Sequence, residues 1–137
     1  MKKITILLLS SLFFLSGCGN SSSATGSKNM VCAFVGGYLD NKAFALKDLA
    51  EGGSAQESIE FYLNPLSKEF DSDLDSKVLF GDFYNAMKIW GSSVDLAFLQ
   101  EDSEAVTKAA IDLEIEMDEI SRTCESFGWK FENGWRQ

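Results

Sequence analysis

The chain has 137 residues, and its 21 Asp and Glu against 12 Lys and Arg give a formal net charge of −9. This acidity disfavours nucleic-acid binding, because phosphate contacts need clustered Lys and Arg. The sequence contains no His, which removes the Ser-His and Cys-His nucleophile pairs and the usual imidazole metal ligands. The composition therefore predicts a protein that is not an enzyme and has no cofactor.

The first 17 residues have the layout of an export signal. Lys2-Lys3 precede an apolar run over residues 4–15, which is shorter than the roughly 20 apolar residues that span a bilayer. The run ends in Leu15-Ser16-Gly17-Cys18, which resembles the lipobox of bacterial lipoproteins. The resemblance implies that a type II signal peptide, residues 1–17, is cleaved and that Cys18 is lipidated, for example with palmitate. An ordinary secretory signal or a single uncleaved anchor is the alternative.

Lipidation predicts where the protein is found and alters its charge. Two or more acyl chains hold a protein stably at a membrane, so we expect attachment to the cell membrane or the outer membrane, with the domain outside the cytoplasm. Because Lys2 and Lys3 leave with the signal, 10 Lys and Arg face 21 Asp and Glu in the mature chain, a net charge of −11. That charge disfavours adhesion of the domain to anionic lipid and suits a cationic partner.

Residues 18–28 are predicted to form a tether that begins with the lipidated Cys18. The segment after Cys18 reads GNSSSATGSK and contains no large apolar residue. Ser- and Gly-rich segments of this kind are flexible linkers. We therefore place the folded domain at residues 29–137.

Apolar spacings of three and four residues, with a single Pro in the chain, predict an all-α domain. Four helices are expected, at about 29–51, 54–70, 76–99 and 103–127. Ser54 to Glu57 has capping-box spacing at the start of the second helix, and Asp75 or Ser76 can cap the third. The last helix is the clearest, with an apolar stripe from Val106 to Phe127. Short connections favour antiparallel neighbours, so the predicted fold is an up-down-up-down four-helix bundle.

Several residues predict interruptions of these helices. Gly36-Gly37 and Asp40-Asn41 weaken the middle of the first helix, so either one helix or two shorter pieces are expected there. Pro65 predicts a kink or a fresh helical turn in the second. Gly91 lies inside the third helix, where glycine costs about 1 kcal/mol relative to alanine, so either a close helix contact or a bend is expected there.

Two cysteines remain after Cys18. Cys32 lies near the start of the first helix and Cys124 near the end of the last, so an up-down-up-down bundle places both at one end. An extracytoplasmic compartment permits disulfides, and we predict a Cys32–Cys124 bridge. Two reduced core cysteines are the alternative. The chain has no C-x-x-C motif of the kind that redox sites use.

An acidic segment between the second and third helices resembles a helix–loop–helix calcium site. If Asp71 is position one, the candidate ligands Asp71, Asp73 and Asp75 alternate along the loop, and Asp82 is at position twelve. The segment has Ser76 where the sharp turn needs Gly, an Asp at position twelve instead of Glu, and a cation at Lys77. We therefore favour a solvated loop without metal and keep calcium only as a weak alternative.

Two further clusters have both an ordinary and a functional interpretation. Four acids crowd the last helix: Glu114, Glu116, Asp118 and Glu119. They are expected to form a solvated surface, or else to dock a basic partner. The aromatic tail contains Trp129, Phe131 and Trp135, which either fold back over the end of the bundle or form a partner-binding patch.

The predicted function is that of a membrane-anchored lipoprotein outside the cytoplasm, whose small domain binds another protein of the cell envelope. Inhibition, exclusion and assembly are the roles considered. The alternative is a helical lipoprotein that binds a small ligand or a cation. In that case aromatic side chains such as Phe34 and Tyr62 would line a pocket between helices.

Overall fold

The computed structural model describes residues 26–71 and 73–131. All the regular elements in these residues are helices and none is a strand, which confirms the all-α prediction. The elements are α1 (Gly26–Gly36), α2 (Tyr38–Ala50), α3 (Ala55–Leu63), a 3-10 helix (Asn64–Phe70), α4 (Leu74–Leu99) and α5 (Ser103–Ser126). None of the helices in this part of the chain has the length and apolar character needed to cross a bilayer.

The first predicted helix is two helices, α1 and α2, which meet at Gly37. α1 begins at Gly26, so its first three residues fall within the predicted tether, residues 18–28. Lys28 Nζ lies 2.9 Å from Asp75 Oδ2 and 4.4 Å from the centroid of the Phe127 ring. These contacts hold the start of α1 against the ends of α4 and α5.

The second predicted helix is also divided, at the position where Pro65 favoured a new turn. α3 ends at Leu63 and the 3-10 helix begins at Asn64, with Pro65 in its first turn. The capping prediction for Ser54 is confirmed, because its hydroxyl accepts a hydrogen bond of 3.1 Å from the Glu57 amide. Phe70 is the last residue of the 3-10 helix, and its side chain is buried.

α4 and α5 form the two longest elements. α4 begins at Leu74, two residues earlier than predicted, and Asp73 rather than Asp75 or Ser76 occupies its cap position. α5 is capped by Asp102, whose carboxylate accepts a 3.0 Å hydrogen bond from the Ala105 amide. It ends before Gly128, whose φ of +90° favours glycine.

α4 lies at the centre of the domain. It packs against α3, α5, α1 and the 3-10 helix, whereas α5 packs mainly against α4 and α1. Apolar side chains from every element form one core, and its largest fully buried members are Phe70, Phe80, Phe83, Leu63, Met87 and Met117. The phenyl rings of Phe70 and Phe80 lie 4.7 Å apart, centroid to centroid.

Candidate interaction surfaces

One flank of α4 is closed against α3. A Cβ atom added to Gly91 would lie 2.8 Å from Ile59 Cδ1 and 2.9 Å from the Cα of Gln56. Such contacts are too short for any side chain, so glycine is required there for the two helices to approach. The close helix contact predicted at Gly91 is confirmed.

Asp95 completes this closed flank by capping a helix other than its own. Its Oδ1 accepts a 2.7 Å hydrogen bond from the Ala55 amide, and its Oδ2 accepts hydrogen bonds from the Ser54 hydroxyl at 2.6 Å and the Gln56 amide at 3.1 Å. The first amides of α3 would otherwise lack intrahelical partners, and a carboxylate there also favours the helix dipole. Asp95 therefore fixes the start of α3 against α4.

Polar contacts continue along the same flank. Gln56 Nε2 donates a 2.9 Å hydrogen bond to Glu60 Oε1, and Lys88 Nζ lies 3.3 Å from the same oxygen. The hydrogen bond from Gln56, followed by the one from Lys88, lowers the pKa of Glu60 below its ordinary value. The charge on Glu60 is thus already matched by a residue of α4.

The other flank of α4 is open and forms a groove with α5, which we call the α4–α5 groove. It has a volume of about 620 Å³. Its apolar side chains include the buried Trp90 of α4 and Leu113 of α5, and the exposed Ile89 and Ile115 on the two helices. Ile89 is 60% exposed and Ile115 59% exposed, so both isoleucines remain available for contact.

The charges along the α4–α5 groove have one sign. Its lining includes the carboxylates Asp82, Asp112, Glu116 and Glu119, and no Lys or Arg from the described ranges lines it. Asp112 is paired with Lys108, whose Nζ is 2.5 Å from Asp112 Oδ2. No described cation forms an ion pair with the other three. The groove therefore combines apolar side chains with uncompensated negative charge.

The structure sorts the four clustered acids of α5 into two groups. Glu116 and Glu119 line the α4–α5 groove, whereas Glu114 and Asp118 do not. The sequence did not single out Ile89 and Ile115, although both lie off the apolar stripes of their helices, which was the available signal. Asp95 was also missed, and its spacing of four residues from Gly91 places both on one face of α4.

The four candidate calcium ligands contact different residues and do not converge on one point. Asp75 pairs with Lys28 at 2.9 Å, and Asp71 pairs with Lys77 at 3.1 Å. Asp73 accepts a hydrogen bond from the Ser76 hydroxyl, and Asp82 lies farther along α4, in the α4–α5 groove. Within residues 26–71 and 73–131, no three acidic or Cys side chains gather in a way that could hold a metal ion. The structure thus does not assemble the weak calcium candidate.

Cys32 of α1 and Cys124 of α5 lie at one end of the domain. Their Sγ atoms are at bonding distance and their Cα atoms are 5.7 Å apart, within the range of disulfides, as the sequence predicted. The pair joins segments 92 residues apart. Lys28 contacts the same end, and its hydrogen bond to Asp75 raises its pKa.

Two aromatic residues of the tail, Trp129 and Phe131, fold back against this end of the domain. Trp129 donates an amide hydrogen bond of 3.1 Å to the Cys124 carbonyl, and its ring lies 6.3 Å from that of Phe131. Both side chains are partly buried and pack against the core. Trp135 and the lipidation candidate Cys18 lie outside the described residues.

Comparison of the chain with protein-family models, with curated proteins and with solved structures finds no match.

Proposed function

We propose that this protein is a lipoprotein of the cell envelope, anchored through Cys18, whose domain binds a basic amphipathic helix of another envelope protein in the α4–α5 groove. The observation that carries the proposal is the groove itself, in which Ile89 and Ile115 stand beside Asp82, Glu116 and Glu119. Binding of this kind suits an inhibitor, an exclusion factor or an assembly factor.

A helix is the partner shape that fits the groove. The lining residues on α4 extend from Leu79 to Ser93, about 20 Å at 1.5 Å per residue. An amphipathic helix of about 14 residues matches that length and places its apolar face between the two isoleucines, as in other helix-in-groove complexes. Lys and Arg beside that face would meet the carboxylates, which favours fast association and correct register.

The proposal includes the finer topology of the domain. We propose that the chain runs as an up-down-up-down bundle, with α1 and α2 as its first arm, α3 and the 3-10 helix as its second, and α4 and α5 as its third and fourth. The short connections after Ala50 and Leu99 support this arrangement. In it, α5 is an outer helix whose exposed flank is available to a partner.

Photo-cross-linking in the native membranes tests the binding surface. A photoreactive phenylalanine analogue replaces Ile115 in one variant and Phe61 of α3 in another. Phe61 is 74% exposed and lies outside the groove, so it is a matched control. We expect one dominant partner from position 115 only, with mass spectrometry locating the cross-link in a basic amphipathic helix. Equal capture from position 61, or a cross-linked segment of acidic sequence, would contradict the proposal.

Charge reversal tests the electrostatic part. The double variant Glu116→Lys/Glu119→Lys should reduce capture at least about tenfold, because lysines would repel the basic helix. Glu114→Lys/Glu125→Lys changes the net charge equally on the same helix, and both residues are exposed outside the groove. This control should keep capture intact. Equal loss in the two double variants would show an effect of net charge alone.

The anchor is tested separately from the groove. Labelled palmitate should be incorporated by the unaltered chain and not by Cys18→Ser. Cell fractionation should recover the unaltered chain with the membranes and Cys18→Ser in the soluble fraction. Incorporation into Cys18→Ser would reject lipidation at this residue. The outcome does not depend on which partner the groove binds.

A further inference from the structure

The α4–α5 groove has two unlike ends. The start of α4 and the end of α5 meet at one of them, because Lys28 Nζ lies 2.9 Å from Asp75 Oδ2 and 4.4 Å from the centroid of the Phe127 ring. At the opposite end the two helices are joined directly by residues 100–102. The helices therefore run antiparallel along the groove. We call the end near Lys28, where the cysteine pair lies, the disulfide end, and the other the turn end.

The carboxylates of the groove are unevenly distributed between these ends. Asp82 lies eight residues after the start of α4 and Glu119 seven residues before the end of α5, so both are nearer the disulfide end, and Glu116 is near the middle. None of the three forms an ion pair with a cation of the described ranges. The remaining carboxylate, Asp112, lies nearer the turn end and is paired with Lys108. The uncompensated negative charge thus extends from the middle of the groove to its disulfide end.

Cations at the disulfide end are paired elsewhere or lie outside the groove. Lys28 is paired with Asp75, and Lys77 of α4 is paired with Asp71 at 3.1 Å. Arg122 of α5 is exposed, but neither it nor any other Lys or Arg of the described ranges lines the groove. A partner that binds there therefore meets more negative charge at the disulfide end than at the turn end.

A helix in this groove can lie in either of two directions, and the charge distribution distinguishes them. The N-terminus of a helix carries partial positive charge and amide groups without intrahelical partners, whereas its C-terminus carries partial negative charge. The carboxylates at the disulfide end therefore attract the N-terminus of a bound helix and repel its C-terminus. Lys and Arg side chains of the partner are drawn to the same end.

We propose that the partner helix lies parallel to α4, with its N-terminus and its Lys and Arg residues at the disulfide end. Its first two turns, about seven residues, face Asp82 and Glu119, and its apolar residues follow beside Ile89 and on towards the turn end. The inference rests on the function proposed above, and it adds the direction of the bound helix and the position of its charges. It excludes a helix whose basic residues are confined to its C-terminal half.

Two synthetic helices of about 14 residues test the direction. Both have the same composition with three lysines, blocked termini, and a hydrocarbon staple on the face away from the groove, which makes them equally helical before binding. The lysines occupy the first half of one peptide, called N-basic, and the last half of the other, called C-basic. We expect N-basic to bind the full chain about 2- to 5-fold more tightly, the range of one charge–dipole interaction. Fluorescence anisotropy in micelles of a neutral detergent measures both affinities.

Charge neutralisation tests whether the carboxylates cause the preference. Asp82→Asn/Glu119→Gln removes two charges at the disulfide end, so the ratio of N-basic to C-basic affinity should fall towards one. Glu114→Gln/Glu125→Gln removes two exposed charges of α5 that do not line the groove, and it should keep the native ratio. Because the partition of each peptide into micelles is the same for all three proteins, it cancels when their ratios are compared.

Spin labels on N-basic report the direction itself. A nitroxide at its N-terminus should broaden the amide NMR signals near Asp82, and one at its C-terminus should broaden those near Ser93 and Ala109. These patterns together with the expected ratio support the proposal. Broadening in the reverse order, or equal affinity of the two peptides, overturns the direction and leaves the groove as a binding site. If neither peptide changes the signals of groove residues, the proposed function fails as well.

Discussion

The two flanks of α4 differ in how many of their side chains find partners within the described chain. Towards α3, Gly91 leaves no space for a side chain, and Asp95 accepts three hydrogen bonds from the start of the neighbouring helix. Towards α5, a groove remains, with Ile89 exposed beside carboxylates that have no described ion-pair partner. The same helix is thus closed on one side and open on the other.

The difference indicates which contacts serve stability and which serve recognition. On the closed flank Glu60 is paired with Lys88, and no charge needs a partner from outside. On the open flank Ile89 and Ile115 are exposed, and Glu116 and Glu119 form no ion pair with a described cation. Substitutions on the closed flank should therefore change the free energy of unfolding, whereas those on the open flank should leave it nearly constant and change binding.

The largest expected effect concerns the helix that forms the open flank. α5 packs mainly against α4 and α1, and the Cys32–Cys124 link ties it covalently to α1. Replacing both cysteines by alanine should lower the free energy of unfolding by roughly 4–5 kcal/mol, the chain-entropy value for a loop of this size. Chemical denaturation measures the loss, and hydrogen exchange should show α5 amides opening before those of α3.

The control for this prediction is a count of free thiols in the unaltered chain. Alkylation and mass spectrometry under denaturing conditions establish whether Cys32 and Cys124 are oxidised in the native protein. Unchanged stability after full reduction would contradict the prediction. Exchange that accelerates equally in α3 and α5 would show that the link supports the whole domain and not the open flank in particular.

The next effect belongs to the closed flank. Asp95→Ala removes three hydrogen bonds from the start of α3 and should cost about 2 kcal/mol, the upper range for a helix cap. Asp95→Asn retains one carbonyl acceptor and should cost about half as much. Asp82→Ala is the matched control, since it removes the same carboxylate from the open flank of the same helix. Thermal unfolding of the three variants checks the order, and a large loss in Asp82→Ala would contradict it.

Two glycines of α4 allow the same comparison with one kind of substitution. Gly91→Ala gains about 1 kcal/mol of helix propensity but forces its Cβ against the backbone of Gln56, so a net loss of about 1–2 kcal/mol is expected. Gly81→Ala meets no described atom within 4 Å and should stabilise by about 0.5–1 kcal/mol. Equal changes in the free energy of unfolding, measured by denaturant titration, would mean that α3 moves away from α4 at little cost and accommodates the added Cβ.

Much of the fold follows from local sequence signals. Glycine and proline set the breaks at Gly37 and before Pro65, and the spacing of Leu113, Met117 and Ile120 set the core face of α5. The contacts of Lys28 with Asp75 and Phe127 were not predicted, because both partners are far away in sequence. A local pattern carries no information about such contacts.

The candidate site was less accessible to sequence reasoning. The acids of α5 were noticed, but only the packing of α5 beside α4 separates Glu116 and Glu119 from Glu114. Ile89 and Ile115 lie off the apolar stripes of their helices, and the structure leaves both exposed, but the stripes alone do not show that the two side chains lie along one groove. The function of Asp95 depends on a helix about 40 residues earlier, which no spacing rule within α4 predicts.

The smallest expected effect is the pH dependence of stability that comes from Asp73, at the start of α4. Asp73 occupies the N-cap position of α4. The hydrogen bond from the Ser76 hydroxyl, aided by the charge of Lys28, lowers the pKa of Asp73 below the ordinary value of 3.8, although desolvation opposes the shift. A lowered pKa means that the folded state favours the charged carboxylate, so the associated stability is present above pH 3.8 and is lost as the pH falls through the lowered pKa. Ser76→Ala should raise the pKa of Asp73 towards 3.8 in a carboxyl NMR titration, while Ser92→Ala, on an exposed part of α4, should not. An unchanged titration in Ser76→Ala would assign the shift to Lys28, and the stability of α4 at low pH would then depend on the start of α1.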